Sequence, residues 1–87
     1  MHAVAIDAKF TDQAQAEADL GGLISRISGM PGFVGGYWVA YPGNRGTSMI
    51  VFDSEEAARG FVSFVESHAA DGVAPDRIEV GRVLARA

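Results

Sequence analysis

Apolar residues in this chain recur at a spacing that changes along its length, and each change marks an element. Residues 2–9 (HAVAIDAK) alternate, with Val4, Ile6 and Ala8 on one side and Ala3, Ala5 and Asp7 on the other, which predicts a first strand. The spacing then lengthens to Ala16, Leu20, Leu23/Ile24 and Ile27, an amphipathic helix over 13–28. Asp12 stands at its cap, and Gln15 holds the capping-box position three residues later. Gly21-Gly22 interrupt this helix and each weakens it by about 1 kcal/mol relative to alanine, so either a neighbour packs closely there or the helix bends. Gly29-Met30-Pro31-Gly32 stop it. Residues 33–41 (FVGGYWVAY) form the longest aromatic run, 42–46 (PGNRG) read as a hairpin turn, and 47–53 (TSMIVFD) as the returning strand. Ser54-Glu55-Glu56 combine a cap with two carboxylates in a first turn, opening a second helix carried on by Ala57/Ala58, Phe61, Phe64/Val65 and His68. Residues 70–75 (ADGVAP) break it, and 76–85, with Ile78, Val80 and Val83, form the last strand.

The order β-α-β-β-α-β predicts one α+β domain over 1–87, a ferredoxin-like split β-α-β with two helices on one face of a four-stranded antiparallel sheet. Alternation makes both sheet faces apolar. Val34, Trp38 and Ala40 fall on one side of the second strand and Phe33, Tyr37, Val39 and Tyr41 on the other; in the third, Ile50 and Phe52 oppose Met49 and Val51. A sheet with one wet face shows polar residues there. Leaving these side chains in water forgoes about 1.5–3 kcal/mol each. No further element remains to cover them, so the economical partner is a second copy, giving a homodimeric α/β barrel.

Composition narrows the function. The chain has 48% hydrophobic and 21% charged residues, as in a globular domain. A protein of this size hides only roughly 60% of its unfolded surface, which again favours association. The absence of cysteine excludes disulfides and thiol nucleophiles. No apolar run approaches ~18 residues, and residues 1–9 lack the pattern of a signal peptide, so a cytoplasmic protein without membrane partners is the expectation. The net charge is −4 and the seven basic residues are scattered, whereas nucleic-acid binders cluster theirs. RNA-recognition motifs share the element order, but the places of their stacking rings on the third strand are held here by Thr47 and Met49. Nucleic acid is therefore excluded as a partner, and no phosphate-cradling loop or metal-ligand spacing is present.

Two segments carry a resemblance: Pro31-Gly32-Phe33-Val34-Gly35, a helix stop leading into the second strand, and Phe52-Asp53-Ser54-Glu55-Glu56-Ala57, an apolar strand passing into a helix cap. With the element order they resemble the dimeric α/β-barrel superfamily, and within it the antibiotic-biosynthesis-monooxygenase-like group, over nearly the whole chain. The resemblance implies oxidation of an aromatic or polycyclic metabolite by molecular oxygen with no added metal or flavin, with substrate deprotonation and an aromatic cavity in place of a cofactor. On that reading Asp7, Trp38 and Tyr37 are the catalytic candidates, and Tyr41, Asn44, Arg45, Phe52, Phe61 and His68 are the substrate contacts.

Each candidate has a structural alternative. Trp38 can be core and the tyrosines interface, where aromatics are enriched. Asp7 can act as a base in an apolar strand, or pair with Arg77 or Arg82, or face water at a sheet edge. His68 can sit at a helix C-terminus for its dipole. The resemblance also implies a weaker alternative, heme binding through His68, since the heme-degrading branch has an axial histidine late in the second helix. That branch also has an asparagine on strand one and a tryptophan in helix two, where this chain has Asp7 and Phe61 or Phe64. His2 reads as a mobile terminal residue. The rival from another class is a non-catalytic ligand-binding or interaction module using the same cavity.

Overall fold

Six elements follow the order that the spacing predicts: β1 (His2–Phe10), α1 (Gln13–Ser28), β2 (Phe33–Tyr41), β3 (Arg45–Phe52), α2 (Glu55–Ser67) and β4 (Val73–Arg82). The computed structural model describes residues 1–68 and 73–87. The strands form one sheet in the order β2-β3-β1-β4, every neighbouring pair antiparallel, which is the ferredoxin-like arrangement. Among the described residues no helix is long and apolar enough to cross a membrane.

Both helices start where local chemistry places them. The Asp12 carboxylate accepts the Gln15 backbone N–H at 3.1 Å. The capping box is half made, because the Gln15 side chain donates to Asp19 (2.9 Å) instead of returning to the cap. Ser54 caps α2 by accepting from the Ala57 N–H at 3.1 Å, and Glu55 bonds Arg59 one turn on (2.9 Å). The turn at Gly32 is locked to this start. Its carbonyl accepts from the Asp53 N–H (2.8 Å), its φ is +80°, and a Cβ there would stand 2.5 Å from the Asp53 carboxylate and 2.8 Å from Ala57. Only glycine fits, so the two motif segments are one packed unit.

The core lies between helices and sheet. Val4, Ile50 and Phe52 from the sheet meet Ile27 of α1 and Ala58 and Phe61 of α2, all buried. The opposite face of the sheet carries no helix. Val34, Tyr37, Val39, Tyr41 and Met49 are all exposed there, Tyr37 at 78%.

Five expectations change. Phe33 was expected beside the tyrosines and Val34 beside Trp38, but the register shifts between Phe33 and Gly35. The extra residue is a β-bulge. It turns Phe33 onto the helix side, edge-on to Phe52 with ring centroids 6.1 Å apart, and leaves Val34 exposed. β3 begins at Arg45 rather than Thr47, because the loop closes over Pro42–Asn44, with Gly43 and Asn44 at positive φ. β4 begins at Val73, which pairs with Phe10, and ends at Arg82. Pro75 is tolerated since β4 is an edge strand, with a register shift opposite Asp7/Ala8. The remainder of the predicted breaker, residues 70–72, lies outside the described residues. No neighbour packs closely on Gly21 or Gly22, where nothing comes within 4 Å of an added Cβ and α1 continues through both. His2 is no loose terminus: it opens β1 opposite Phe52 and Arg82, and its Nδ1 is buried without a partner among the described residues.

Candidate functional site: a cleft between the helices

An open cleft of about 750 Å³ separates α1 from the sheet and α2. Its floor is built from Ile6 and Ala8 of β1, Trp38 and Ala40 of β2, and Gly46, Ser48 and Ile50 of β3. These residues share a face because the registers Trp38↔Ser48 and Ala40↔Gly46 put the even positions of β2 and β3 under the helices. Small residues there make room for rings. The Trp38 indole lies close over Gly36, its outer edge 3.1 Å from where a Cβ would be, and the Phe10 ring covers Gly46, 2.7 Å from the corresponding position. One wall is α1, through Ala16, Leu20 and Leu23; the other is α2, through Phe61, Phe64, Val65 and His68.

The α2 wall is an aromatic succession leading out of the core. Centroid distances run 5.4 Å from Phe52 to Phe61, 6.4 Å from Phe61 to Phe64 and 4.5 Å from Phe64 to His68. His68 caps α2 at its C-terminus and stacks on Phe64 at 22°. Its Nδ1 is 2.9 Å from the Phe64 carbonyl. A carbonyl can only accept, so Nδ1 donates to it, and Nε2 is the acceptor nitrogen of the neutral ring. Glu17, Asp19 and Arg26 of α1 give the cleft a charged fringe. Chemically, the cleft is mostly apolar and aromatic, with the His68 ring at one end and a hydroxyl, Ser48, in its floor.

The candidates divide between the two faces. Trp38, Phe61 and His68 come together in the cleft. Tyr37, Tyr41 and Arg45 lie on the open face, with the Arg45 guanidinium 5.7 Å above the Tyr41 ring. Asp7 is on that face too. It accepts from Thr47 Oγ1 (2.9 Å) and pairs with Arg77 (3.2 Å), which reaches on to Glu79 (3.8 Å). Pairing with Arg77 is one of the structural alternatives open to Asp7. Phe52 is fully buried in the core and does not line the cleft. Asn44 sits in the hairpin at φ 58°, its carbonyl accepting the Phe10 N–H (2.7 Å). The sequence reading missed Phe10, Leu20 and Ser48 as lining residues. Phe10 continues the alternation of Val4, Ile6 and Ala8 by one step, a signal that was present. Among the described residues no three His, Asp or Glu side chains group to hold a metal.

The sequence matches no protein-family model and no curated protein. Solved structures do match. A dimeric ferredoxin-like protein from an uncultured marine organism superposes with a TM-score of 0.61 at 15% identity, over 99% of this chain and 97% of that one. The chain has the fold of a dimeric ferredoxin-like protein. MupZ from Pseudomonas fluorescens gives a TM-score of 0.70 at 15% identity, over 91% of this chain but 65% of MupZ, so the chain spans just under two thirds of that protein's length. The heme degrader MhuD from Mycobacterium tuberculosis, in a structure with two hemes in its active site, gives 0.58 at 17% identity, with 98% of each chain covered. At these identities the likeness is one of fold.

Proposed function

We propose that the cleft binds a small planar aromatic or polycyclic metabolite, and that the protein is a monooxygenase-like oxidoreductase working without an added cofactor, as a homodimer. The observation that carries this reading is the cleft itself: about 750 Å³, with Trp38 in the floor and the His68 ring at one end. Apolar clefts with a few placed polar groups are the usual form of a small-molecule site. The Trp38, Phe10 and Phe64 side chains give the lining aromatic surface. His68 Nε2 can accept a hydrogen bond from a ligand hydroxyl.

The reaction class that needs nothing further is oxidation of a ring CH₂ to a carbonyl. One oxygen atom of O₂ becomes the carbonyl oxygen, the other leaves as water with the two hydrogens, and the substrate supplies all the electrons. The homodimer is supported by the exposed row of Val34, Tyr37, Val39, Tyr41 and Met49. Covering that row places Tyr37 and Tyr41 at an interface and leaves the cleft on the outer side of each sheet.

The lining does not fit a heme-degrading site. β1 turns Ile6 and Ala8 into the cleft, with no polar side chain, and α2 turns Phe61 and Phe64 where that branch has a tryptophan. His68 is the single matching residue, and no step is assigned to heme.

Trp38 is the only tryptophan, so its fluorescence reports the cleft directly. Dithranol, a hydroxylated anthrone, is expected to quench it saturably, and an oxygen electrode is expected to record uptake above the probe's own autoxidation. Both signals depend on the cleft, so Ala16→Phe, which fills part of it and adds no second indole, should weaken both. Quenching without uptake would leave the ligand-binding module as the better reading. A probe series with neither effect would overturn the cleft as a ligand site.

A further inference from the structure

We infer that the N-terminal half of α1, Gln13–Leu20, is a lid over the cleft that swings on Gly21 and Gly22. The two halves of this helix are anchored unequally. In the second half, Ile27 is buried in the core and Leu23 packs against it. In the first half no residue is buried and none joins the core; Ala16 and Leu20 face the cleft instead. Every side-chain hydrogen bond of Gln13–Leu20 among the described residues stays inside the helix or its cap: Asp12 to the Gln15 N–H and Gln15 to Asp19. The half-helix therefore rests over a void, tied to the molecule through β1 before it and the glycines after it.

Gly21 fits no static role, and Gly22 has only a place in the cleft lining. Nothing lies within 4 Å of a Cβ at either, so neither admits a close neighbour. Among the described residues the glycines at positive φ are Gly32 and Gly43, so the backbone at 21 and 22 does not demand glycine. In a helix interior each disfavours the folded form about fivefold relative to alanine. Two adjacent positions of that kind, at the boundary between the anchored and unanchored halves, concentrate bending there. Closing the open cleft over a bound ligand needs a wall that moves, and this wall is the element held least. That the lid guards a ligand rests on the function proposed above; that it moves does not.

Gly22 lines the cleft and Gly21 does not, so Gly21→Ala stiffens the hinge without narrowing the site. Amide hydrogen exchange on the ligand-free protein reads the motion. The amides of Glu17–Leu20 should exchange at least about tenfold faster than those of Ile24–Ile27. Gly21→Ala should slow the first group about fivefold and leave the second unchanged. A control, Ser25→Ala, in the anchored half, should not slow the first group. In stopped flow, release of dithranol followed by Trp38 fluorescence should slow several-fold in Gly21→Ala. Equal exchange in the two halves of the wild type, or equal slowing of both by Gly21→Ala, would overturn the lid. Failure of dithranol to bind would sink the ligand reading alone, because the exchange result stands without a ligand.

Discussion

If the proposed homodimer forms through the open sheet face, replacing Tyr37 by alanine should weaken assembly and leave folding unchanged. In the protomer Tyr37 is 78% exposed, on the sheet face away from the core, opposite Met49. Truncating it removes no contact with Phe52, Phe61 or Ile27, so the far-ultraviolet circular dichroism of the protomer should not change. In a face-to-face dimer the ring is covered. Aromatic side chains bury roughly 150–250 Å² when enclosed. Covering half of the open part contributes about 2 kcal/mol per protomer at ~25 cal/mol per Å². A two-fold interface uses the residue twice, so the variant loses about 4 kcal/mol, which raises the dimer dissociation constant about a thousandfold. Sedimentation equilibrium across a concentration series measures this directly, with native mass spectrometry as a second view of the stoichiometry. A wild-type chain that stays monomeric at high micromolar concentration would refute the reasoning. So would a Tyr37→Ala dimer as tight as the wild type, since the exposed row would then be covered by something other than a second copy.

Two further outcomes test the reading of the fold and of Asp7. Gly32→Ala should lower stability to urea by about 2–5 kcal/mol, combining the left-handed backbone penalty with a Cβ forced against Asp53 and Ala57. That is a large share of the roughly 4–13 kcal/mol available to a chain of this length. Gly60→Ala is the matched control: it lies in α2 with open space around it, so it should gain about 1 kcal/mol in the same titration. Asp7→Asn weakens a half-exposed pair with Arg77, which is worth less than about 1 kcal/mol, and should leave dithranol quenching of Trp38 unchanged. A lost fluorescence titration in a folded Asp7→Asn protein would return that carboxylate to the chemistry of the cleft.

The order of elements was legible because the signals that set it are local. Asp12 and Ser54 cap with their own side chains, and the alternation in β1 and β3 runs unbroken, so Val4 shares a face with Ile6, and Ile50 with Phe52, by sequence alone. The bulge at Val34 was not legible, since an inserted residue breaks the period-two rule without changing composition. Pro75 read as a breaker because the sequence does not say which strand lies at an edge. The candidate site was legible in part. Alternation already separated Tyr37 from Trp38, and Asp7 from Ile6, yet residues of similar chemistry were grouped as one site. The cleft depends on how far α1 stands from α2, and that distance has no local signal in either helix.

The two faces of β2 explain why so small a chain carries so much exposed aromatic surface. Adjacent residues, Trp38 and Tyr37, point to opposite sides of the sheet, one into the cleft and one into the open. A one-residue slip in the β2–β3 register would exchange them, placing the indole at the open face and the phenol under the helices. The register is held at both ends of the pair. At one end Asn44 and Gly43 close the hairpin at positive φ and set Tyr41 opposite Arg45. At the other, the bulge spends one residue so that Phe33 meets Phe52 in the core while Gly36 still meets Ile50. Between them, a Cβ at Gly36 would stand 3.1 Å from the Met49 carbonyl and 3.3 Å from the Ile50 side chain, a close approach of β2 to β3 that belongs to this register. Cleft and open face are thus set by the same pairing. A change that loosens that pairing should therefore disturb ligand binding and self-association together, whereas Tyr37→Ala, which leaves it intact, should disturb self-association alone.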